Sequence, residues 1–136
     1  MDGDFNCHRN GSFNAVTTRS DVRLKVNMEE MEDGALDKIG SLKVYSYDKV
    51  NSLSDRTVIG REVGIIAQDL QKVLPEAVST ANLGDPDKPE EILTVDTSAI
   101  NALIIKAMQE MTAKFEAMSK ELAETKAELA ELKATK

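Results

Sequence analysis

A serine and a lysine five residues apart are the side chains in this sequence best suited to peptide-bond chemistry. Ser20 carries a hydroxyl that could act as a nucleophile, and Lys25 carries an amine that could accept its proton if burial or nearby positive charge favoured the neutral amine. Arg23 could supply auxiliary positive charge, whereas Asp21 would oppose this effect if it paired with Lys25. Many soluble chains contain such a spacing by chance, usually in a solvated, charged turn. The pair is therefore a hypothesis that needs support from the rest of the chain.

The regular geometry of a strand would separate the two side chains. Apolar and polar residues alternate over 21–27, which predicts a half-buried strand. On a straight strand Ser20 and Lys25 would be about 17 Å apart, too far for proton transfer. The pair could work only through a tight bend before Val22, or with a lysine from a neighbouring copy of the chain.

The composition disfavours several other kinds of site. The 136 residues carry a formal net charge of -7, whereas a nucleic-acid surface needs an excess of Lys and Arg. The single cysteine, Cys7, cannot form an intrachain disulfide, and with the lone His8 it falls short of a zinc site. Glycine-rich phosphate loops are absent, and no apolar run approaches the roughly 18 residues of a membrane span. We therefore expect no metal, no cofactor, no nucleic acid and no membrane partner.

The middle of the chain is predicted to be a small α+β domain with a modest core. The predicted elements are a strand at 21–27, a short helix around 35–39, a strand at 42–47, a loop or hairpin tip at 50–61, a buried strand at 63–67, a helix at 68–74, and strands that begin at 78 and at 92. A domain of this size is marginally stable unless something else supports it. Residues 1–19 hold too little apolar surface to fold alone, so they are predicted to be strand-forming residues that need neighbours.

A heptad pattern follows this domain and supplies the expected support. Apolar residues step alternately by four and three along a predicted helix from about 98 to 136, which Asp96 or Thr97 can cap. The a positions are Met108, Phe115, Leu122 and Leu129, and the d positions are Ile104, Met111, Met118, Thr125 and Leu132. A small domain cannot bury so long a stripe, so the helix is predicted to pair with copies of itself. The a and d residues alone do not decide between a dimer and a trimer.

Charged residues beside the heptad stripe predict a parallel, in-register bundle. Glu121 and Glu128 fall at g positions, and Lys126 and Lys133 fall at e positions. In a parallel bundle each glutamate faces the lysine five positions further along the neighbouring helix. Asn101 continues the a series and would disfavour shifted registers.

Four motifs in this order resemble the self-cleaving C-terminal intramolecular chaperone of bacteriophage tailspikes and tail fibres, the endosialidase type, to which a domain of myelin regulatory factor is related. The motifs are 20–27 (SDVRLKVN), 35–39 (ALDKI) with 42–47 (LKVYSY), 64–69 (GIIAQD) with 75–78 (PEAV), and 93–96 (LTVD) before the terminal helix. The departures from the family pattern are Met28, Asp69 and Thr97, where isoleucine, glutamate and tyrosine are usual. None of them touches the serine and lysine pair.

The resemblance implies an enzyme and a chaperone in one chain. It implies a homotrimer, fused to the end of a β-structured phage protein whose folding it assists, that then releases itself as a serine endopeptidase. Ser20 would be the nucleophile and Lys25 the base, with the cut at the bond between Ser20 and Asp21. The simple five-membered acyl shift would instead cut between Arg19 and Ser20, and both bonds stay open.

The resemblance also implies a division of the chain and a location. Residues 1–19 would be the end of the client stem, 20–97 the chaperone domain and 98–136 the trimerisation helix. The whole would be the precursor of a virion tail protein, made in the host cytoplasm, from which the chaperone fragment is released.

Two other functions stay open from the sequence. The chain could be a permanent trimerisation module that never cuts, in which case the wild-type chain would stay unprocessed. It could also be the processing domain of a membrane-tethered transcription factor, in which case a transmembrane helix should follow the bundle in the full-length protein. The sequence carries no signal for a nucleotide site.

Overall fold

The computed structural model describes residues 11–135 and has a mixed α+β architecture, which confirms the predicted fold class. Its helices and strands, in chain order, are α1 (Ala35–Ser41), β1 (Tyr45–Val50), β2 (Val58–Gly64), α2 (Ala67–Val73), β3 (Val78–Asn82), β4 (Glu91–Val95) and α3 (Thr97–Ala134). Two single-turn 3-10 helices, Val22–Leu24 and Pro75–Ala77, complete the regular structure of this range. The α2 helix and the two later strands lie where the sequence predicts them.

The four strands form two separate antiparallel hairpins. In the first, Tyr45 of β1 faces Gly64 of β2, and the register shifts at Lys49 and Val50. In the second, β3 and β4 pair without a register shift over their whole length. The prediction of a buried strand at 63–67 is wrong, because β2 ends at Gly64, its Val63 side chain is exposed, and α2 begins at Ala67.

A small core lies where the three helices and the second 3-10 turn meet. Its buried residues are Ala35, Leu70, Leu74, Ala77, Leu103 and Ala107. Half of these are alanines, so the helix backbones can approach closely, but the apolar area removed from water is small. The first turns of α3 are part of this core, whereas most of the helix extends beyond it.

A carboxylate on α3 holds the start of α1. Glu110 accepts hydrogen bonds from the backbone N–H of Gly34 at 3.0 Å and of Ala35 at 2.9 Å. These donors have no partner within α1, and an anion at a helix N-terminus is favoured by the helix dipole. Gly34 has a φ of 111°, which favours glycine, and the neighbouring Asp33 forms an ion pair with Lys106 of α3 at 3.1 Å. The short helix is thereby fastened to the long one.

The long helix begins at the predicted cap and carries the predicted stripe. The Asp96 side chain accepts hydrogen bonds from the backbone N–H of Ser98 at 2.8 Å and of Ala99 at 3.4 Å. The 38 residues of α3 span about 57 Å. Every a and d residue from 104 to 132 is exposed in the single chain, and the apolar ones range from 41% for Ile104 to 70% for Phe115. Over residues 11–135, no helix combines the length and the apolar composition that crossing a membrane requires.

The N-terminal segment contains neither a regular helix nor a strand over residues 11–19 of this single chain. Residues 1–10 lie outside the described part of the chain. The prediction of a β-structured stem over 1–19 depends on partner chains, so it stays a prediction.

Candidate active site

Ser20 and Lys25 lie side by side. The Nζ atom of Lys25 donates a hydrogen bond to the Oγ atom of Ser20 at 2.8 Å. The predicted strand over 21–27 is wrong, because Val22–Leu24 forms a 3-10 turn. The separation of about 17 Å that a strand would impose therefore does not apply. The pair forms within one chain, without a lysine from a neighbouring copy.

The turn between the two residues is closed by backbone hydrogen bonds at both of its ends. The N–H of Leu24 donates to the Asp21 carbonyl, and the N–H of Lys25 donates to the Val22 carbonyl, both at 3.0 Å. A 3-10 helix rises about 2 Å per residue, compared with about 3.3 Å in a strand. The turn therefore shortens the path and brings the Lys25 side chain back towards Ser20.

Asp21 caps this turn with its side chain. Its Oδ1 atom accepts a hydrogen bond from the backbone N–H of Arg23 at 2.8 Å. Aspartate commonly satisfies free N–H groups in this way, and such local bonds compete with strand formation. The cap is the physical reason why an alternating segment forms a turn here.

The Arg23 side chain returns to the same carboxylate. Its Nε lies 3.0 Å from Oδ1 of Asp21, and its Nη2 lies 2.7 Å from Oδ2. The Arg23 guanidinium, followed by the Arg23 backbone N–H, holds the pKa of Asp21 below its ordinary value, and the same contact raises the pKa of Arg23. Asp21 therefore pairs with Arg23 and not with Lys25. Within residues 11–135, no carboxylate oxygen lies within 4 Å of Lys25 Nζ.

The segment that carries the pair is exposed and lies beside the start of α3. The hydroxyls of Thr18 and Ser98 are 3.3 Å apart. After Lys25, Asn27 adopts a φ of 52°, a left-handed conformation that asparagine tolerates better than most residues. Four apolar side chains around the pair are exposed in the single chain, namely Val22, Leu24, Val26 and Met28. The segment that carries the polar pair therefore also carries exposed apolar side chains.

The chemistry that this arrangement allows is acyl transfer. A hydroxyl and an amine within hydrogen-bond reach are the minimum for a nucleophile with its base. Within the described range, no three His, Cys, Asp or Glu side chains are grouped so that they could hold a metal ion. Cys7 and His8 lie outside the described residues.

Two side-chain contacts, one in the candidate site and one at the start of α1, are not indicated by the sequence analysis. The pairing of Asp21 with Arg23 is one, although an aspartate two residues before an arginine is a compatible signal. The Glu110 cap on α1 is the other, and it joins residues 75 and 76 positions apart. No local pattern in the sequence indicates so distant a partner.

Comparison with known proteins gives a match that begins at Ser20. A family model described as chaperone of endosialidase matches residues 20–79. Long tail fiber protein Gp37 of Enterobacteria phage M1 is 59% identical over 111 residues, which cover 82% of this chain and 43% of that protein. Gp37 of Enterobacteria phage K3 is 37% identical over 122 residues, which cover 90% of this chain and 9% of that protein.

A eukaryotic relative is more distant. Myelin gene regulatory factor-like A of Dictyostelium discoideum is 29% identical over 123 residues, which cover 84% of this chain and 13% of that protein. This chain spans less than half the length of each of these three relatives.

Proposed function

Residues 20–79 belong to the chaperone-of-endosialidase family, and from this premise we propose that the chain is an intramolecular chaperone for a phage tail-fibre protein. It joins three client chains, assists their folding and then releases itself by cutting the chain at Ser20. The tail-fibre relatives support this class of client, since the matched segment is part of longer proteins. The client with its chaperone would be a virion tail precursor made in the host cytoplasm.

The observation that carries the cleavage proposal is the 2.8 Å contact between Lys25 Nζ and Ser20 Oγ. The unprotonated amine of Lys25 removes the hydroxyl proton while Oγ attacks a peptide carbonyl. The resulting ammonium then returns the proton to the leaving amine, and water hydrolyses the ester. The neutral amine is the form that can accept the hydroxyl proton. Each chain reacts once, because the cut separates the product.

Two bonds are candidates for the cut, and they require different intermediates. Attack on the Arg19 carbonyl proceeds through a five-membered ring, and hydrolysis of the ester leaves Ser20 as the new N-terminus. Attack on Ser20's own carbonyl closes a four-membered lactone and releases a fragment that begins at Asp21. Resemblance to the family favours the second bond, whereas ring strain favours the first. The mass of the fragment separates the two routes.

The exposed stripe on α3 supports self-association, and the resemblance to the family favours three copies. Stripe residues from Ile104 to Leu132 are apolar except Thr125 and lie outside the core of the single chain. Three copies that bury the stripe would raise the effective concentration of their clients to the mM range and align them. Cutting afterwards removes the tether, so the persistence of the folded client becomes kinetic.

The test is intact mass on freshly expressed chain, with Ser20→Ala and Lys25→Ala beside the wild type. We expect a fragment that begins at Ser20 or Asp21 in the wild type, and full-length chain in both variants. Lys72→Ala, which changes an exposed lysine on α2, is the control and should be cut. Full-length wild-type chain would refute self-cleavage.

Mixed trimers test whether the pair acts within one chain. Co-assembled Ser20→Ala and Lys25→Ala chains should both stay uncut, because neither subunit holds a complete pair. Cleavage of the Lys25→Ala subunits would show that a neighbour supplies the base.

A permanent trimerisation module is the second candidate, and the exposed stripe favours it equally. It predicts a trimeric native mass without any fragment. The similarity to Myelin gene regulatory factor-like A would favour a transcription-factor client. We prefer the tail-fibre client, because Gp37 of phage M1 is 59% identical over 82% of this chain.

A further inference from the structure

We propose that Asp21 and Arg23 are positioning residues for the cleavage reaction. Asp21 holds the turn that brings Lys25 to Ser20, and Arg23 keeps the Asp21 carboxylate away from Lys25. This inference rests on the proposed self-cleavage. Within the described contacts, neither side chain is hydrogen-bonded to Ser20 or to Lys25, so each acts through another group.

The first role follows from the weakness of an isolated turn. A 3-10 helix of three residues makes few hydrogen bonds and does not persist by itself in water. The bond from the Arg23 N–H to Asp21 Oδ1 closes the N-terminal end of Val22–Leu24. Without the turn the segment returns towards an extended form, and the distance between Ser20 and Lys25 grows far beyond hydrogen-bond reach. The cap therefore determines whether the pair exists.

The second role follows from the charge of the cap. A carboxylate within about 4–6 Å of an amine favours the protonated amine, which cannot accept a proton from serine. Both Asp21 oxygens are occupied by Arg23, because Nε reaches Oδ1 and Oδ2 and Nη2 reaches Oδ2. The low pKa of Asp21, caused first by the Arg23 side chain, agrees with a carboxylate that stays ionised and stays on the guanidinium. Arg23 thus binds and neutralises the carboxylate that caps the turn, so this carboxylate is not free to pair with Lys25.

The other charged groups near Lys25 do not replace this pair. Along the same segment Arg19 precedes the serine, and Glu29 and Glu30 follow Lys25. Neither glutamate has a carboxylate oxygen within 4 Å of Lys25 Nζ. Thr18 contacts Ser98, so the start of α3 lies beside this segment. The charged residue at the start of α3 is Asp96. The Asp96 carboxylate is already engaged by backbone N–H groups of α3.

The experiment measures the rate of self-cleavage against pH in full-length chain. Chains purified in denaturant are refolded at each pH from neutral to alkaline, and intact mass follows the loss of uncut chain. The variants are Arg23→Gln, Asp21→Asn and the double substitution. The control is Arg61→Gln, which breaks an exposed Arg–Asp pair of similar geometry in the first hairpin.

Of the four altered chains, only Arg23→Gln should have a profile moved to higher pH. Arg23→Gln keeps the backbone cap but frees the carboxylate, so its profile should move to higher pH by about one unit, with a loss of roughly tenfold near neutral pH. Asp21→Asn keeps a capping oxygen without the charge, so its profile should not move to higher pH. The double variant should return to the wild-type position, because the pair has no net charge. Arg61→Gln should overlay the wild type.

Loss of a purely structural contact would lower the cleavage rate at every pH without moving the pH profile. Asp21→Ala removes the cap, so we expect this result for it. An Arg23→Gln profile that overlays the wild type, or a double variant that stays shifted, would overturn the inference while leaving self-cleavage intact. Wild-type chain that stays uncut would overturn both. If Arg23→Gln fails to assemble, the cleavage of Asp21→Asn is the deciding measurement. Asp21→Asn keeps a capping oxygen without the charge, so an Asp21→Asn chain that is not cut would contradict the charge argument.

Discussion

Removal of the Glu110 carboxylate should destabilise the domain although the residue lies far from the cleavage site. Glu110 accepts two hydrogen bonds, at 3.0 and 2.9 Å, from N–H groups at the start of α1 that have no other partner within residues 11–135. The contact is partly buried, so water replaces the carboxylate only incompletely. Each lost bond to a capping oxygen costs about 1 kcal/mol. We therefore expect Glu110→Ala to lower the free energy of unfolding by about 2 kcal/mol.

Glu110→Gln separates the charge from the shape. Its amide oxygen can still accept a hydrogen bond, but the favourable charge at the helix N-terminus is lost. Its expected cost is about 1 kcal/mol, half that of the alanine substitution. The matched control is Glu116→Ala, an exposed glutamate on the same helix with no described side-chain bond, which should change stability by less than about 0.5 kcal/mol.

The assay is urea unfolding in the Ser20→Ala background, so that cleavage does not intervene. All variants are measured at one protein concentration, because assembly makes apparent stability depend on concentration. The order of stability should be wild type and Glu116→Ala first, then Glu110→Gln, then Glu110→Ala. Equal midpoints for Glu110→Ala and Glu116→Ala would refute the view that this carboxylate fastens α1 to α3.

Three further predictions concern other parts of the chain. A Cβ on Gly84 would collide with a backbone carbonyl four residues further on, so Gly84→Ala should lower the melting temperature more than Gly60→Ala, where the space is open; equal melting temperatures would contradict the close approach. Leu122→Asp places a charge in the stripe and should reduce the native mass from that of the proposed trimer to that of a monomer, whereas Ala123→Asp, on the adjacent outer position, should not; an unchanged native mass in both would argue against the heptad interface. Lys25→Arg can still bond to the serine but cannot act as a base, so intact mass should show no cleavage; a fragment from this variant would contradict the proposed role.

Features specified by local or periodic signals were predictable. The heptad pattern placed α3 within one or two residues of its observed limits, because the same spacing recurs along the whole helix. Asp96 is one of the two caps that the sequence offers for this helix, since a capping side chain acts only two or three residues away. The residue types and their spacing also indicate the pairing of Ser20 with Lys25, together with the bend that it requires.

The bend itself was not predictable from alternation. The pattern over 21–27 suits a strand as well as a turn, and the choice depends on the side-chain bonds of Asp21. The boundaries of β2 were missed for a related reason, because an apolar run at 63–67 does not show whether it is buried. Exposed Val63 and the helix start at Ala67 divide that run.

By itself the sequence determined the α+β class, the long helix with its stripe, and which two side chains could do chemistry. These follow from residue types and short spacings, which act over a few positions along the chain. Only the tertiary structure decided that Asp21 binds Arg23 and that Glu110 caps a helix some 75 residues away. Such partners are chosen by the orientation of side chains and by contacts between distant segments, and neither is encoded in a local pattern.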